Sequence, residues 1–387
     1  VAICDPGFAF ANEEEVFVVE EAACGVLEFP EGSDRIYGTT PVDFTQEQEF
    51  NEDEQIRASA SRLPSILGLK NPGSWSFTTY VKPSGAAGTP PEHRVLFKGL
   101  FGDVDEQASY VDYTLANQVD PFSLWVKKGH TVFAMRGCTV ESGDFSVAGD
   151  AVATVGWGGA GMELLWAGEA YANDTCGLSK ETITMAAAGA TRFVAGMKVV
   201  VGDDDNSGDG YLLSGVNYTN NTITISPALG SNQGTNPLIT PWWPTSSPEV
   251  GEPGHGKLGL VTIGGQTAIV FSASVTVTNN IKYYINEKNN VWTAERYGRP
   301  GRRAVEGTLV MAFVPQGSNY FYRSGYKITN ALVIPVGNVA GKIMEISIPY
   351  AEYRTPTIGG AEEFQQTVPF VAVASATLND EIKVRFR

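Results

Sequence analysis

Two runs of alternating residues, Ser272 to Thr278 and Val305 to Phe313, enclose a long polar stretch, and few architectures accommodate that arrangement. In the first run Ser272, Ser274, Thr276 and Thr278 fall on one face, while Ala273, Val275 and Val277 fall on the other, the period-2 pattern of a half-buried strand. In the second, Glu306 and Thr308 share a face with Val310 and Ala312, and Val305, Leu309, Met311 and Phe313 point the opposite way. The β-branched residues suit a pleated surface. The spacing therefore predicts an oversized β-hairpin with one face in a core and one in water. Its connection carries Lys282, Lys288, Arg296, Arg299, Arg302 and Arg303 against Glu287 and Glu295. Hairpin loops usually run to roughly two to five residues, and much longer ones are commonly functional.

The rest of the chain reads the same way. A chain of 387 residues, 43% hydrophobic, with seven Trp, is long enough for two or three domains and an ample core. Gly is abundant, and turn signals such as Asp209-Gly210 and Gly264-Gly265 separate short Thr-, Val- and Tyr-rich runs, which favours an all-β fold. Strands are expected at Glu15–Cys24, Glu49–Ile56, Trp75–Val81, Phe122–Thr131, Phe133–Val147 and, more weakly, Asp150–Gly156. One helix is expected at His93–Phe101: Pro90-Pro91-Glu92 suits a first turn, Val95, Leu96 and Leu100 share a stripe, and Gly102 suits the stop. From Tyr171 to about Gly254 the pattern changes to a compact set of short strands, Arg192–Gly202 and Gly210–Ile225, with a tight turn at Asn220-Asn221. A Pro-, Ser- and Gly-rich return containing Trp242-Trp243 follows, and the earlier pattern resumes at Leu258. This reads as an insertion, with residues 1–170 and 255–387 forming one framework around a small β domain at 171–254.

The formal net charge of −16 disfavours tight binding of nucleic acid, because affinity for phosphates comes mostly from Lys and Arg displacing counterions. Much of the acid is local: residues 11–60 hold fourteen Asp or Glu against Arg35 and Arg57. Cys4, Cys24, Cys138 and Cys176 are too widely spaced for a zinc site or a disulfide scaffold and read as free thiols from a reducing compartment. No run of about 18 apolar residues occurs, and the first residues lack a basic, cleavable signal pattern, so a soluble protein without a membrane partner is expected.

The alternating strand ending in Thr278-Asn279-Asn280-Ile281, the long loop, the basic Gly298-to-Arg303 segment (GRPGRR) and the strand EGTLVMAF together resemble the tail tube proteins of long-tailed bacteriophages. Gly38-Thr39-Thr40-Pro41, the Gly137-to-Ser142 strand (GCTVES), Lys342–Tyr350 and Thr367–Ala372 are similar to further segments of that family. The resemblance implies a tail-tube-type β-sandwich or barrel with one short helix, here with the inserted module on the tube exterior. It implies a structural subunit rather than an enzyme, forming hexameric rings that stack into a hollow tube in the virion tail after assembly in the host cytoplasm. Implied partners are further copies of itself, a tape measure and other tail proteins, and viral DNA passing through the lumen without tight binding. Ser272, Ser274, Thr276, Thr278, Glu306 and Thr308 are then the candidate lumen-facing residues. Lys282, Arg296, Arg299, Arg302 and Arg303 are candidate inter-subunit contacts, with pairing of Arg302 and Arg303 inside their own subunit as the competing reading. A tail terminator or a contractile-system tube subunit has the same fold type. The Trp, Tyr, Asn and Asp content of residues 171–254 also suits a carbohydrate-binding or adhesion protein.

Motifs for chemistry are sparse. Gly156-Trp157-Gly158-Gly159-Ala160-Gly161 matches GxGxxG, but no βαβ unit surrounds it, so it reads as a flexible glycine-rich hairpin or loop rather than a cofactor site. Asp203, Asp205 and Ser207 alternate before Gly208 as in a calcium loop, but Ser214 stands where the bidentate acid belongs, which favours a solvated turn. His93, His130 and His255 form no metal pair, and neither GxSxG nor a Walker A sequence occurs, so no cofactor, metal or catalytic residue is assigned.

Overall fold

The computed structural model describes residues 13–52, 64–285, 292–313, 319–360 and 363–387. The framework strands in chain order are β1 (Glu15–Glu20), β2 (Asp43–Thr45) and β3 (Gly73–Tyr80) before the helix α1 (Arg94–Phe101). After it come β4 (Gly102–Gln107), β5 (Tyr110–Leu115), β6 (Phe122–Lys128), β7 (Thr131–Ala148), β8 (Thr154–Gly161) and β9 (Glu163–Ala167). After a separate six-stranded sheet come β10 (Val270–Thr278), β11 (Ala304–Ala312), α2 (Tyr320–Gly325), β12 (Thr329–Val336), β13 (Met344–Tyr353), β14 (Thr357–Gly359), β15 (Gln365–Ala372) and β16 (Lys383–Phe386).

These strands form a mainly β sandwich. The main sheet runs β2-β3-β8-β7-β10-β11-β15-β14, antiparallel at every step. The expected hairpin is at its centre: β10 pairs with β11 from Val270↔Met311 to Thr278↔Ala304. A second sheet, β4-β5-β16-β13-β12, lies across the core, and β13 joins the two because Ala351–Tyr353 also pair with β15. A third sheet is made of β1, β6, the first half of β7 and β9.

Strand β7 serves two sheets because it bends. Its first half pairs with β6 and β9, its second with β8 and β10, and the register shifts between Met135 and Cys138 and again between Val140 and Ser142. Bulges of this kind turn a strand out of one plane into another. Gly137 makes the turn with φ +62, and a Cβ there would lie 2.6 Å from the Met162 side chain. The bend is held by Glu21, whose buried carboxylate accepts from Gly137 N–H (2.6 Å), Gly25 N–H (2.7 Å) and Ser123 Oγ–H (2.8 Å). Burial pushes its pKa up, against the pull of those donors and of Arg136.

The helix plugs the space between the sheets. Val95, Leu96, Phe97, Gly99, Leu100 and Phe101 are buried, and the chain leaves α1 through Gly102 at φ +94, whose N–H caps Lys98 O. Phe97 touches both layers at once: its ring centroid is 6.1 Å from Phe145 and 5.1 Å from Trp157 of the main sheet, and 5.1 Å from Tyr113 and Phe386 of the second. A second helix, α2, departs from the single helix expected. It has only six residues, too few for an amphipathic period, and is capped by the Asn319 side chain.

The GxGxxG segment also departs from expectation: it is the strand β8, fully paired with β7 and β3. Its glycines answer to packing. A Cβ on Gly159 would lie 2.0 Å from Thr139 O and 2.7 Å from the Trp75 indole, so only glycine lets Trp75 lie against the strand.

Between Ala170 and Pro241 a six-stranded antiparallel sheet forms from Ala170–Tyr171, Leu238–Pro241, Lys198–Val201, Tyr211–Asn217, Thr222–Ser226 and Thr182–Thr184. Its core is continuous with the framework: Ile183, Phe193, Val199, Leu213, Ile223 and Ile239 pack in one cluster with Phe17, Trp125, Val132, Ala134 and Ala167. The neighbours Val16, Val18, Leu124, Val126 and Met135 face the other way, into the framework core. The third sheet is thus buried on both faces, which is why Val16–Val19 and Phe122–Val126 read as near-continuous apolar runs rather than alternations. The return segment is bound to the framework as well, through Trp243 edge-on to Phe17 (4.9 Å), Ser247 N–H to Gly32 O (2.9 Å), Arg35 to Ser246 Oγ (2.7 Å) and Lys82 to Glu249.

Truncating Phe97 to Ala is expected to lower the unfolding free energy by about 3–5 kcal/mol, because a central cavity opens against both sheets; urea unfolding followed by Trp fluorescence reads this. His93, entirely buried beside α1 with Nε2 2.7 Å from Tyr80 O, supplies a pH test. Burial, with some help from Lys82, lowers its pKa from 6.5 to about 4, so the folded state holds the ring neutral. Its contribution is full above pH 6.5 and is lost as pH falls from there towards 4. Stability measured across that window should fall less steeply in His93→Phe than in the parent chain.

Candidate functional site

Two surfaces stand out: the outer face of the main sheet and the loop at one end of its central hairpin. The register fixes the first. Thr45 and Asp43 of β2 are followed across the sheet by Ser74, Ser76 and Thr78, then Thr154, Gly156 and Gly158, then Ser142, Asp144 and Ser146. The series continues through Ser272, Ser274, Thr276 and Thr278 of β10 and Glu306 and Thr308 of β11. All six hairpin residues singled out from sequence fall on this one face. It holds the carboxylates of Asp43, Asp144 and Glu306, and none of its strand positions is Lys or Arg. Gly156 and Gly158 leave a trough of about 580 Å³ between Thr40, Asp43, Ser76, Ser142 and Asp144. The acidic and hydroxyl positions on β3, β7 and β8 were not assigned from sequence, because only the pairing register shows that they share a surface with β10.

The loop is built in two storeys. Beyond the hairpin, Lys282–Tyr284 pairs with Arg296–Gly298, and residues 286–291, including Glu287 and Lys288, lie outside the described residues. Tyr283 is driven inward, its hydroxyl 2.8 Å from both Gly137 O and Ala160 O and 2.9 Å from Thr139 Oγ1; Tyr297 donates to Val119 O at 2.6 Å. Lys70 N–H donates to Trp292 O (2.8 Å), which ties the Gln48–Asn51/Ile66–Lys70 hairpin to this basic loop within one chain.

The five basic candidates divide by environment. Arg299 is spent inside its own subunit, donating to Asn279 O (2.9 Å), Asn279 Oδ1 (2.9 Å), Ala116 O (3.2 Å) and Asn117 O (3.1 Å). Arg303 donates to Asn279 Oδ1 (3.3 Å) and to Ala116 O. Burial lowers both pKa values, that of Arg303 to about 10 with further help from Arg299, which leaves both charged at neutral pH. Lys282, Arg296 and Arg302 are exposed.

Asn279, unremarked in the sequence beyond its place in the strand end, is the hub of this arrangement. It is fully buried, and its Nδ2 donates to Leu100 O (2.9 Å) at the end of α1 and to Val140 O (3.0 Å) at the β7 bulge. Its backbone N–H donates to Glu141 O (2.7 Å). The two guanidinium groups then close on its oxygens. Cations at a helix C-terminus also complement the backbone dipole.

Elsewhere, among the described residues, no group of three or more His, Cys, Asp or Glu could hold a metal ion. In the acidic turn, Asp204 accepts from Asn206 N–H (3.1 Å) and Ser231 Oγ–H (2.6 Å). Cys24, Cys138 and Cys176 are free thiols, and Cys4 lies outside the described residues. No helix among the described residues is long and apolar enough to cross a membrane.

Replacing Asn279 by Leu would leave two buried carbonyls without donors and two guanidinium groups without their shared acceptor. We expect a loss of at least about 2 kcal/mol in denaturant unfolding. Arg302→Ala, at the exposed position next door, should stay within about 0.5 kcal/mol of the parent.

A family model described as phage tail tube protein matches residues 11–372 of the chain. No curated protein matches it.

Proposed function

The chain belongs to the phage tail tube protein family, a structural component of the virion tail that assembles with itself and with other tail proteins, and from that premise we propose a specific division of labour among its surfaces. Copies close into hexameric rings with the outer face of the main sheet turned inward, and the rings stack into a tube that conducts DNA into the host. The observation that carries this reading is the composition of that face: hydroxyls, glycines and the carboxylates of Asp43, Asp144 and Glu306, without a cation on its strands. A polyanion is repelled by such a wall and makes few lasting contacts with it, so it slides rather than binds. The lumen would accordingly be lined by β3, β7 and β8 as well as by the hairpin residues Ser272 to Thr278, Glu306 and Thr308.

The layering supports an outward position for the inserted sheet. Going away from the polar face, one meets the main sheet, the framework core, the third sheet, the shared core and then the insertion. Assembly in the host cytoplasm and contact with a tape measure inside the tube belong to the same reading.

For stacking, the exposed Lys282, Arg296 and Arg302 are the loop cations free to meet acidic residues of a neighbouring ring. Arg299 and Arg303 serve the fold of their own subunit. Exposed charge pairs set register and weaken with salt. Negative-stain microscopy of the purified chain should show rings or tubes whose growth slows as salt rises. Lys282→Glu/Arg296→Glu/Arg302→Glu should keep the parent circular dichroism and unfolding midpoint but fail to elongate. A parent chain that stays monomeric at high concentration overturns the tube reading, and tubes of normal length from the triple variant overturn the role of the loop.

A further inference from the structure

Among the described residues Lys82, just after β3, is the one Lys or Arg that is buried, at 3% exposure. Its ammonium lies between two carboxylates. Glu249 of the return segment accepts a hydrogen bond from Nζ, and Glu92, just before α1, holds its Oε2 3.8 Å away. The Tyr37 ring covers a third side, its centroid 4.9 Å from Nζ. Tyr37 also fixes the other two partners: its backbone N–H donates to Glu92 Oε1 (2.8 Å) and its hydroxyl to Ser247 O (3.2 Å).

The backbone on either side of Glu249 is seated on the framework, so the amine and the carboxyl are held in contact. Ser247 N–H donates to Gly32 O (2.9 Å) and Gly254 N–H to Val81 O (2.8 Å). Gly251, at φ +83, lies so close over the residue after Lys82 that a Cβ would sit 2.1 Å from Pro83 O. Reacting groups fixed in this way behave as if at effective concentrations of roughly 10⁵–10⁸ M when well oriented. Glu92 is suited to moving protons between them. Burial raises the pKa of its carboxyl, against the pull of the Tyr37 N–H and Lys82, and Oε2 is buried without a hydrogen-bond partner.

We propose that, in the folded chain, Lys82 and Glu249 condense into an isopeptide bond with Glu92 as the proton carrier. Glu92 takes one proton from the ammonium, and the free amine attacks Cδ of Glu249. Glu92 passes that proton, and then a second from the nitrogen, to one carboxylate oxygen, which leaves as water. A C–N bond replaces a C–O bond, nothing is oxidised or reduced, and Glu92 ends as it began. The Glu249 side chain is 48% exposed, which gives the water a way out. The product exchanges an ammonium that is costly to hold away from water for a neutral amide beside the unpartnered Glu92 Oε2. It fastens the return segment to the framework covalently and closes residues 82–249, with the six-stranded sheet among them, into one loop. The inference does not depend on the ring reading.

Intact-mass spectrometry of the purified parent chain should give a mass one water below that of its sequence. A digest made under denaturing conditions should contain a branched peptide joining Lys82 to Glu249. Lys82→Arg, which keeps the charge but offers no condensable amine, and Glu249→Ala should both return the full sequence mass. Glu92→Gln keeps the shape but cannot carry the proton, so it should slow bond formation by about 100-fold or more, read from the bonded fraction in samples taken over time after synthesis. A parent chain that is folded by circular dichroism yet has its full sequence mass overturns the proposal. A water loss that persists in Lys82→Arg, or a branched peptide joining Lys82 to Glu92 instead, overturns it as well. Bonding of Glu92→Gln at the parent rate overturns the role of Glu92. Should a variant fail to fold, the parent mass and its branched peptide still decide the matter.

Discussion

The carboxamide of Asn279 is the point at which the separate parts of the framework are made into one. Its nitrogen satisfies the last turn of α1 and the bulge of β7, and its oxygen gathers Arg299 and Arg303 from the far arm of the hairpin. Without it the carbonyls of Leu100 and Val140 would lose these buried donors, a cost comparable to a lost hydrogen bond. The hairpin can therefore be long and polar at its end without leaving the body of the protein. The helix, in turn, can end inside the protein rather than at its surface. Phe97 does the corresponding work in the apolar phase, filling the space where the two sheets diverge.

Much of this was legible in the chain. Strict alternation located β10 and β11 and their two faces, and Pro90-Pro91-Glu92 with Gly102 bracketed α1 to within a residue. The strand expected at Trp75–Val81 lies within β3, where Trp75 and Phe77 are buried and Ser74 and Ser76 exposed. What was not legible had a physical reason in each case. Strand β4, Gly102–Gln107, is an edge strand with almost no buried side chains, so it has no apolar period to detect. Strand β16 is four residues long and owes its existence to partners on both sides, Tyr110–Leu115 and Met344–Tyr353. The GxGxxG run was misread because glycines usually mark turns, whereas here they make room for Trp75 and Met135 against a strand.

The candidate surfaces show the same limit. Sequence identified six residues of the polar face because they lie on two adjacent arms. Asp43, Asp144 and the serines of β3 join that face through pairings between residues tens of positions apart. Likewise a cluster of arginines reads as a surface patch until the fold shows which of them meet carbonyls. Arg299 and Arg303 are separated from Arg302 by burial, not by anything in their local sequence.

The base of the six-stranded sheet bears on the cost of closing the framework. Ala170 and Tyr171, at the start of the six-stranded sheet, pair with Ile239 and Leu238, near its end, so this segment is closed at its own neck. Strand β10, which must reach β7 to complete the main sheet, is separated from β9 by the whole six-stranded sheet and the return segment. Once the neck has formed, the chain to be looped shrinks from roughly 100 residues to about 30, which lowers the closure cost by about 1 kcal/mol. The paired neck thus holds near each other the two stretches of chain that lead into β9 and β10.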